Sequence, residues 1–241
     1  LNPNLYFINP FQTIEGNAFL QPSFTTNVEF SYAAGGLSAS LYYNQSESLF
    51  SQLPLPNAAT NIIRFTMENY LDGRNIGGSI YYSTSLLKRW NNTFTVNVNQ
   101  AISQFTLDIG QEQLKGVNAR FFTSNNLRLN EQGTLLFGLQ FWYAPPSIDG
   151  VFNKLSASSL DLSLQCFLLE RSLRLSLRAN DVLRSAADRS TATVNGIFQE
   201  ARYYYDNQSV YLSVSYQFGN KDIQVRGRKQ GNTEERNRLG G

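Results

Sequence analysis

The chain has 241 residues, of which 41% are hydrophobic, 13% aromatic and only 16% charged. A soluble globular domain usually carries about 25% charged residues, so this sequence is depleted of charge. It nevertheless lacks the run of about 20 apolar residues that a membrane-spanning helix needs. Low charge, many aromatics and no long apolar run are typical of a membrane β-barrel, in which lipid-facing and interior-facing side chains alternate along each strand.

The cysteine and histidine content limits the chemistry. The chain has one Cys and no His. A single Cys excludes an internal disulfide framework and any multi-cysteine metal site. Without His, the usual general base of serine and cysteine nucleophiles is missing, and only carboxylate-based catalysis stays open in principle. We therefore expect no catalytic residues, no metal site and no cofactor, and predict that the protein is not an enzyme.

Three regions follow along the chain. Residues 1–23 are predicted to be an extended lead-in without the basic and apolar regions of a signal peptide, so we expect that a signal peptide has been removed or that the sequence starts within a longer protein. Residues 24–218 carry the strands. Residues 219–241 have twice as many Lys and Arg as Asp and Glu, which predicts a polar basic periplasmic tail rather than a nucleic-acid-binding arm.

The strands are predicted from a period of two in hydrophobicity. Leu173, Leu175 and Leu177, for example, alternate with Arg174 and Ser176, and successive side chains of a strand point to opposite faces. Nine segments show this pattern, namely 24–33, 37–50, 61–85, 90–103, 115–129, 133–144, 156–169, 172–186 and 197–218.

Two of these segments allow more than one interpretation. Residues 61–85 are either one very long strand or a pair hinged at Asp72-Gly73-Arg74, and the final segment either kinks near Asp206-Asn207 or turns there in a tight hairpin. The sequence therefore predicts an all-β, transmembrane antiparallel β-barrel with about 9–11 strands present.

The connections alternate in length. Short ones at 34–36, 87–89, 130–133 and 170–172 alternate with long ones at 51–60, 104–114, 145–155 and 187–196. Membrane barrels have short periplasmic turns and long extracellular loops. The alternation thus predicts that the short turns and the tail face the periplasm, whereas a soluble sandwich has no reason to segregate its loops by length.

One face of each strand should line the barrel interior. Polar or large side chains at alternating positions are predicted to face this lumen, where they fill the barrel, contact a plug domain or touch a solute: Asn118, Arg120, Gln140, Trp142, Asp161, Arg174 and Arg178. The acidic and basic members of this set are expected to pair, because ions removed from bulk water need partners.

Several short motifs carry a family resemblance. The last strand, Tyr211-Leu-Ser-Val-Ser-Tyr-Gln-Phe218, resembles the terminal strand of TonB-dependent outer-membrane receptors, and its residues Tyr211, Val214, Tyr216 and Phe218 resemble the signal read by the barrel-assembly machinery. Further segments are similar to motifs of the same superfamily: Gly16-Asn17 with Leu20-Gln21-Pro22, Tyr42-Tyr43-Asn44, Glu68-Asn69 with Gly77-Gly78, and Ala179-Asn180-Asp181-Val182-Leu183. Ala18, Ser23 and Leu183 depart from the residues usual in those motifs, which weakens the match to a subfamily.

The resemblance implies an architecture and a function. Complete receptors have 22 strands, an N-terminal plug and a segment that engages TonB, so the chain is expected to be the C-terminal part of such a barrel in the outer membrane of a Gram-negative bacterium. Its expected partners are outer-membrane lipid, the barrel-assembly machinery, and TonB and the plug through parts absent from this chain. The expected function is uptake of a scarce ligand, and the alternative is a self-contained structural or adhesion barrel that transports nothing.

Overall fold

The structure, a computed structural model, describes residues 4–57, 59–106, 109 and 112–218, so the tail predicted at 219–241 lies outside it. This part of the chain is all-β, and it contains no helix that is long and apolar enough to cross a membrane. Fifteen strands form here: β1 (Leu5–Asn9), β2 (Gln12–Glu15), β3 (Phe24–Ala34), β4 (Leu37–Asn57), β5 (Ile62–Leu86), β6 (Trp90–Phe105), β7 (Gln113–Arg128), β8 (Leu135–Ala144), β9 (Ser147–Asp149), β10 (Phe152–Lys154), β11 (Ala157–Leu168), β12 (Leu173–Asn180), β13 (Asp188–Val194), β14 (Ile197–Tyr203) and β15 (Ser209–Tyr216).

Eleven of these strands form one large sheet in the order β3-β4-β5-β6-β7-β8-β11-β12-β15, with the β1–β2 hairpin added beside β5. Neighbouring strands are antiparallel, apart from the parallel pair β2–β5. This confirms the predicted all-β fold; the large sheet has 11 strands, within the predicted 9–11, and four further strands form a second sheet. The sheet is open among the described residues: β3 and β15 are the end strands of the antiparallel ladder, and β1 ends the hairpin branch.

The register gives the sheet two chemically distinct faces. On β12, Leu177 lies opposite Leu164 of β11 and Leu212 of β15, so leucines line up across three strands. The adjacent Ser176 points to the other face and lies opposite Ser213. We call these the apolar face and the polar face. Sheets of soluble proteins bury the apolar side, but here Leu177 is 46% exposed and Leu212 is 74% exposed, as expected of a surface that contacts lipid.

The two ends of the sheet differ as predicted. Short connections at 35–36, 87–89, 129–134 and 169–172 lie at one end, which we call the turn end, and the opposite end is the loop end. β5 is a single strand of 25 residues, so the hinge at Asp72-Gly73-Arg74 is not formed. A barrel strand needs only about 9–11 residues to cross the hydrocarbon. β5 and its neighbours therefore continue well beyond the membrane at the loop end.

The polarity of the two faces inverts along this extension. Nearer the turn end, the apolar face of β5 and β6 carries Ile80 opposite Val96, and the polar face carries Ser79 opposite Asn97. Towards the loop end, positions in line with the apolar face become polar, as in the pair Asp72–Gln104, and positions in line with the polar face become apolar, as in Leu71–Phe105. The inversion between residues 76 and 72 of β5 marks where lipid gives way to water.

The segment 51–60, predicted to be a loop, is mostly strand, because β4 extends to Asn57. Pro54 and Pro56 suggested a loop, since proline cannot donate a hydrogen bond within a sheet. β3 pairs with β4 only as far as Glu47, which lies opposite Phe24. Beyond that point one side of β4 is free, and an edge strand tolerates proline.

The predicted ends of the last two long strands were wrong. The segment 172–186 ends as a strand at Asn180, because Asp181 adopts a positive φ of 42°. The segment 197–218 divides near Asp206, but no hairpin forms there, since β14 and β15 belong to different sheets. β15 ends at Tyr216, although the Gln217 N–H still donates to the Ser172 carbonyl over 2.8 Å.

The long connections predicted at 145–155 and 187–196 contain β9, β10 and β13, and β14 forms within the segment predicted as the final strand at 197–218. These four short strands pair in the order β14-β13-β10-β9, which we call the loop sheet. It packs on the extended ends of β4, β5 and β6 and forms the buried core of the described residues: Leu53, Tyr70, Leu71, Phe105, Ile109, Val151, Ala192 and Val194. Gly150 is needed at this contact, because its φ is +56° and a Cβ would lie 2.9 Å from the Tyr70 hydroxyl. Since Leu71 and Phe105 lie on the polar-face side, the loop sheet folds inward over the polar face.

The lipid contact of the apolar face can be tested with matched lysines. We expect Leu177→Lys to destabilise the membrane-embedded protein by about 2–4 kcal/mol, because the ammonium group would meet hydrocarbon midway along β12. Ser176→Lys, one residue away on the polar face, should cost far less. Urea unfolding of the protein in lipid vesicles measures both, and equal losses would contradict the assignment of faces.

The core under the loop sheet should stabilise the loop end specifically. Leu53 is 1% exposed, so we expect Leu53→Ala to cost about 2–5 kcal/mol through the cavity it leaves. Limited proteolysis should then cut faster within 145–156 and 181–208, while the membrane part stays intact. Leu87→Ala, at a turn-end residue that is 88% exposed, is the control and should leave the cleavage rate unchanged.

Candidate functional site

The seven residues predicted to face the lumen all lie on the polar face. Gln140 and Asp161 are directly opposite each other on β8 and β11, and Arg178 lies beside Ser163, two residues further along β11. The remaining four share this face through the register of β7, β8 and β12: Asn118, Arg120, Trp142 and Arg174. The structure divides the set into a loop-end group (Asn118, Arg120 and Trp142), a charged group (Gln140, Asp161 and Arg178) and Arg174, which stands apart.

The loop-end group holds the loop sheet in place. The Asn118 side chain accepts a hydrogen bond from the Ile148 N–H at 2.8 Å and donates one to its carbonyl at 3.1 Å. Gly116 makes room for this strand, since a Cβ there would lie 3.0 Å from the Ile148 side chain. The Arg120 guanidinium lies 4.9 Å from the centre of the Trp142 ring, a distance that allows a cation–π interaction. Asn118 thus docks β9 and is engaged within the protein.

The charged group lies on the polar face, nearer the turn end than the loop-end group. Asp161 accepts hydrogen bonds from the Ser159 hydroxyl at 3.0 Å and the Asp181 N–H at 2.9 Å, and its other oxygen lies 3.7 Å from the Arg178 guanidinium. Arg178 also donates to Asn180 at 2.7 Å. Gln140, Asp161 and Arg178 border a groove of about 210 Å³. Both charges are partly exposed, so this ion pair contributes little stability and leaves polar groups available at the interior surface.

Arg174 stands apart from this group. It lies nearer the turn end, opposite Phe167 of β11 and Ser215 of β15. The structure therefore does not bring it to the Asp161–Arg178 pair.

Sequence reasoning missed the role of Asp181, whose side chain is 1% exposed. One carboxylate oxygen accepts from the Ser185 N–H at 2.9 Å, and the other accepts from the Ala186 N–H at 3.2 Å and the Tyr204 hydroxyl at 3.0 Å. Partial burial and the hydrogen bond to Asp181 raise the pKa of Tyr204 above its usual value. Asp181 therefore fixes both the turn after β12 and the return of the chain to β15. An Asp at a strand end, followed by a Ser, is the available signal, because Asp binds nearby backbone N–H groups in turns.

Two of the motifs that carried the family resemblance contact each other. The Asn17 side chain donates to Glu68 at 2.9 Å. The Asn69 side chain accepts from the Gln21 N–H at 2.8 Å, and it donates to the Gln21 carbonyl at 3.0 Å and to the Ser48 carbonyl at 2.6 Å. These bonds hold the segment 16–23 as it passes from β2, beside β5, to β3, beside β4.

The residues of the predicted assembly signal do not share one face. Val214 and Tyr216 lie opposite Leu175 and Leu173 on the apolar face, whereas Tyr211 lies opposite Arg178 on the polar face. Phe218 follows the strand and packs edge-on against Tyr216, with ring centres 4.5 Å apart. Val214 and Phe218 are 63% and 85% exposed, so this edge of the sheet is open to a partner.

A cavity of about 330 Å³ lies between the loop sheet and the extended ends of β4 and β5. Its wall includes the ion pair Lys154–Asp188, with 3.2 Å between nitrogen and oxygen, and the stacked rings of Tyr203 and Tyr205. No group of three or more His, Cys, Asp or Glu side chains that could hold a metal occurs in the described ranges. Sequence reasoning did not find this cavity, because strands distant in sequence form it.

Long antiparallel strands with an exposed apolar face, a polar face and a folded cap at one end are typical of the wall of an outer-membrane β-barrel protein. A model of the outer membrane protein β-barrel family matches residues 1–216, and the chain belongs to this family. Membership indicates location in the outer membrane. Neither the curated proteins nor the solved structures compared with the chain gave a significant match.

The role of Asp181 predicts a local loss of order in one variant. Asp181→Asn keeps the shape but replaces one acceptor oxygen with a donor, so a buried N–H or the Tyr204 hydroxyl loses its partner, at a cost of about 1–3 kcal/mol. We expect faster hydrogen exchange at the Ser185 and Ala186 amides. Asp206→Asn, the same change at an exposed position of this connection, is the control; unchanged exchange in Asp181→Asn would refute the anchoring role.

Proposed function

We propose that the chain is the barrel portion of a TonB-dependent receptor that takes up a scarce ligand across the outer membrane of a Gram-negative bacterium, without catalysing a reaction. The observation that carries this proposal is the loop sheet, which folds inward over the polar face at the loop end. A barrel with only a structural or adhesive role has no need of a cavity-bearing cap above its interior. A receptor needs one, because ligand capture precedes passage through the barrel.

The open edges of the sheet support the same proposal. Backbone N–H and C=O groups in the bilayer must be hydrogen-bonded within the protein, so a sheet with bare edges is not tolerated there. β3 and β15 each have one partner strand within the described residues. In the proposed receptor, further strands of the complete barrel cover both edges, and the assembly machinery first engages the exposed edge of β15.

The proposed mechanism starts at the loop end, which faces outward. Ligand binds beneath the loop sheet, and the plug, held inside the complete barrel, contacts the polar face around Gln140, Asp161 and Arg178. TonB, acting on parts outside this chain, then rearranges the plug. The polar face supplies hydrogen-bonding groups for both plug and solute, while outer-membrane lipid covers the apolar face.

Closure of the sheet distinguishes the receptor from a self-contained barrel. In a Cys166→Ser background, Val28→Cys on β3 is combined in turn with Val210→Cys, Leu212→Cys or Val214→Cys on β15. We expect no disulfide from any pair in the outer membrane, because further strands separate these edges. Leu177→Cys with Leu212→Cys is the positive control, since these residues lie opposite each other on β12 and β15.

Efficient cross-linking between β3 and β15 would show that the chain closes on itself and would overturn the receptor proposal. The native polypeptide provides an independent measurement. Isolated from outer membranes and sequenced by mass spectrometry, it should carry a plug domain before Leu1. A signal-peptide cleavage site directly before Leu1 would favour the self-contained structural or adhesion barrel.

A further inference from the structure

The cavity beneath the loop sheet has the size of a small-molecule site. Its volume of about 330 Å³ falls in the range of about 300–1,000 Å³ found for ligand pockets. It opens between β13 and β14 on one side and the ends of β4 and β5 on the other, where Pro54 and Phe65 supply an apolar wall. The cavity lies at the loop end, beyond the part of the sheet whose apolar face is exposed.

The polar groups of the cavity favour a ligand that both donates and accepts hydrogen bonds. Gln199 lines the cavity, and its side-chain nitrogen is buried without a hydrogen-bond partner among the described residues. A buried donor left without an acceptor is costly. Asp149 also lines the cavity and offers an acceptor. A hydroxyl group accepts from Gln199 and donates to a carboxylate, so it satisfies both requirements.

The aromatic groups of the cavity add a flat surface. The rings of Tyr203 and Tyr205 stack with 6.3 Å between their centres and 15° between their planes. They are 47% and 73% exposed, so their faces are accessible. Such rings combine an apolar face with a polar hydroxyl, which matches a molecule that has C–H groups on its flat faces and hydroxyls around its rim.

We propose that this cavity binds a neutral oligosaccharide. Sugar rings carry hydroxyls at their edges and apolar C–H groups on their faces, which fit Gln199 and the carboxylates on one side and the tyrosine rings on the other. The inference rests on the proposed uptake function and names its substrate class.

The charges of the cavity argue against other ligand classes. Two carboxylates, those of Asp149 and Asp188, face one ammonium group, that of Lys154, which is already paired with Asp188. The excess of negative charge repels phosphates and other anions. A polyamine would be attracted by the carboxylates, but it offers no acceptor for the Gln199 nitrogen.

The test measures binding to the complete protein, purified in detergent from the outer membrane, by isothermal titration calorimetry. The probes are neutral hexasaccharides of glucose, mannose, xylose and galactose, with spermidine and a hexa-alanine peptide as comparators. We expect at least one hexasaccharide to bind and both comparators to fail. Tyr205→Ala and Gln199→Leu should each weaken that binding about tenfold, which corresponds to the loss of one good contact.

Phe198→Ala is the matched control. Phe198 is next to Gln199 on β14, so its side chain points to the opposite face of the strand, and it is 64% exposed. Binding of spermidine or the peptide alone, binding of no probe, or equal affinity in all three variants would overturn the proposal. Uptake of the bound sugar in cells lacking TonB tests the proposed function separately. If the sugar binds but its uptake does not depend on TonB, the site stands and the receptor proposal fails.

Discussion

The structure depends on one constraint, which is that hydrocarbon offers the peptide backbone no hydrogen bonds. Inside the membrane, each strand must therefore satisfy its N–H and C=O groups through its neighbours, and the ladder from β3 to β15 does so without a gap in the order of strands. Once the backbone is paired, side chains are free to differ between faces. The alternation of Leu177 with Ser176 follows from this, because one side meets lipid and the other meets polar groups.

Where the same sheet extends outside the membrane, it tolerates different residues. Proline is tolerated where a strand has no partner to which it would donate, as Pro54 and Pro56 show on the free side of β4. Water also reverses which face must be apolar. Polar-face positions such as Leu71 and Phe105 then form a conventional core with the loop sheet, while Asp72 takes a position that is in line with the lipid-facing side chains. β5 therefore passes through both lipid and water, and the change in polarity along it marks the boundary between them.

The sequence predicted what local patterns encode. A period of two located the strands and placed residues as distant as Asn118 and Arg178 on one face, because parity along paired strands carries over from one strand to the next. It did not predict the loop sheet, whose strands of three to seven residues are too short to show a period. Nor could it reveal the contacts of Asp181 with Tyr204 or of Asn17 with Glu68, which depend on tertiary pairing. The prolines of β4 led to the prediction of a loop, because the sequence alone does not show that one side of this strand has no partner.

Two residues join the two sheets, Asn118, which was predicted to face the lumen, and Asp181, whose role was missed. The loop sheet draws β9 and β10 from one connection and β13 and β14 from another, so its position depends on the points where those connections leave the large sheet. Asn118 fixes the first of them through Ile148, and Asp181 fixes the second through Tyr204. Tyr204 stands between the two tyrosines that line the cavity and leads into β15. The wall of the cavity and the residue that anchors the chain before β15 are therefore consecutive, so one short segment serves both the cavity and the return of the chain to the large sheet.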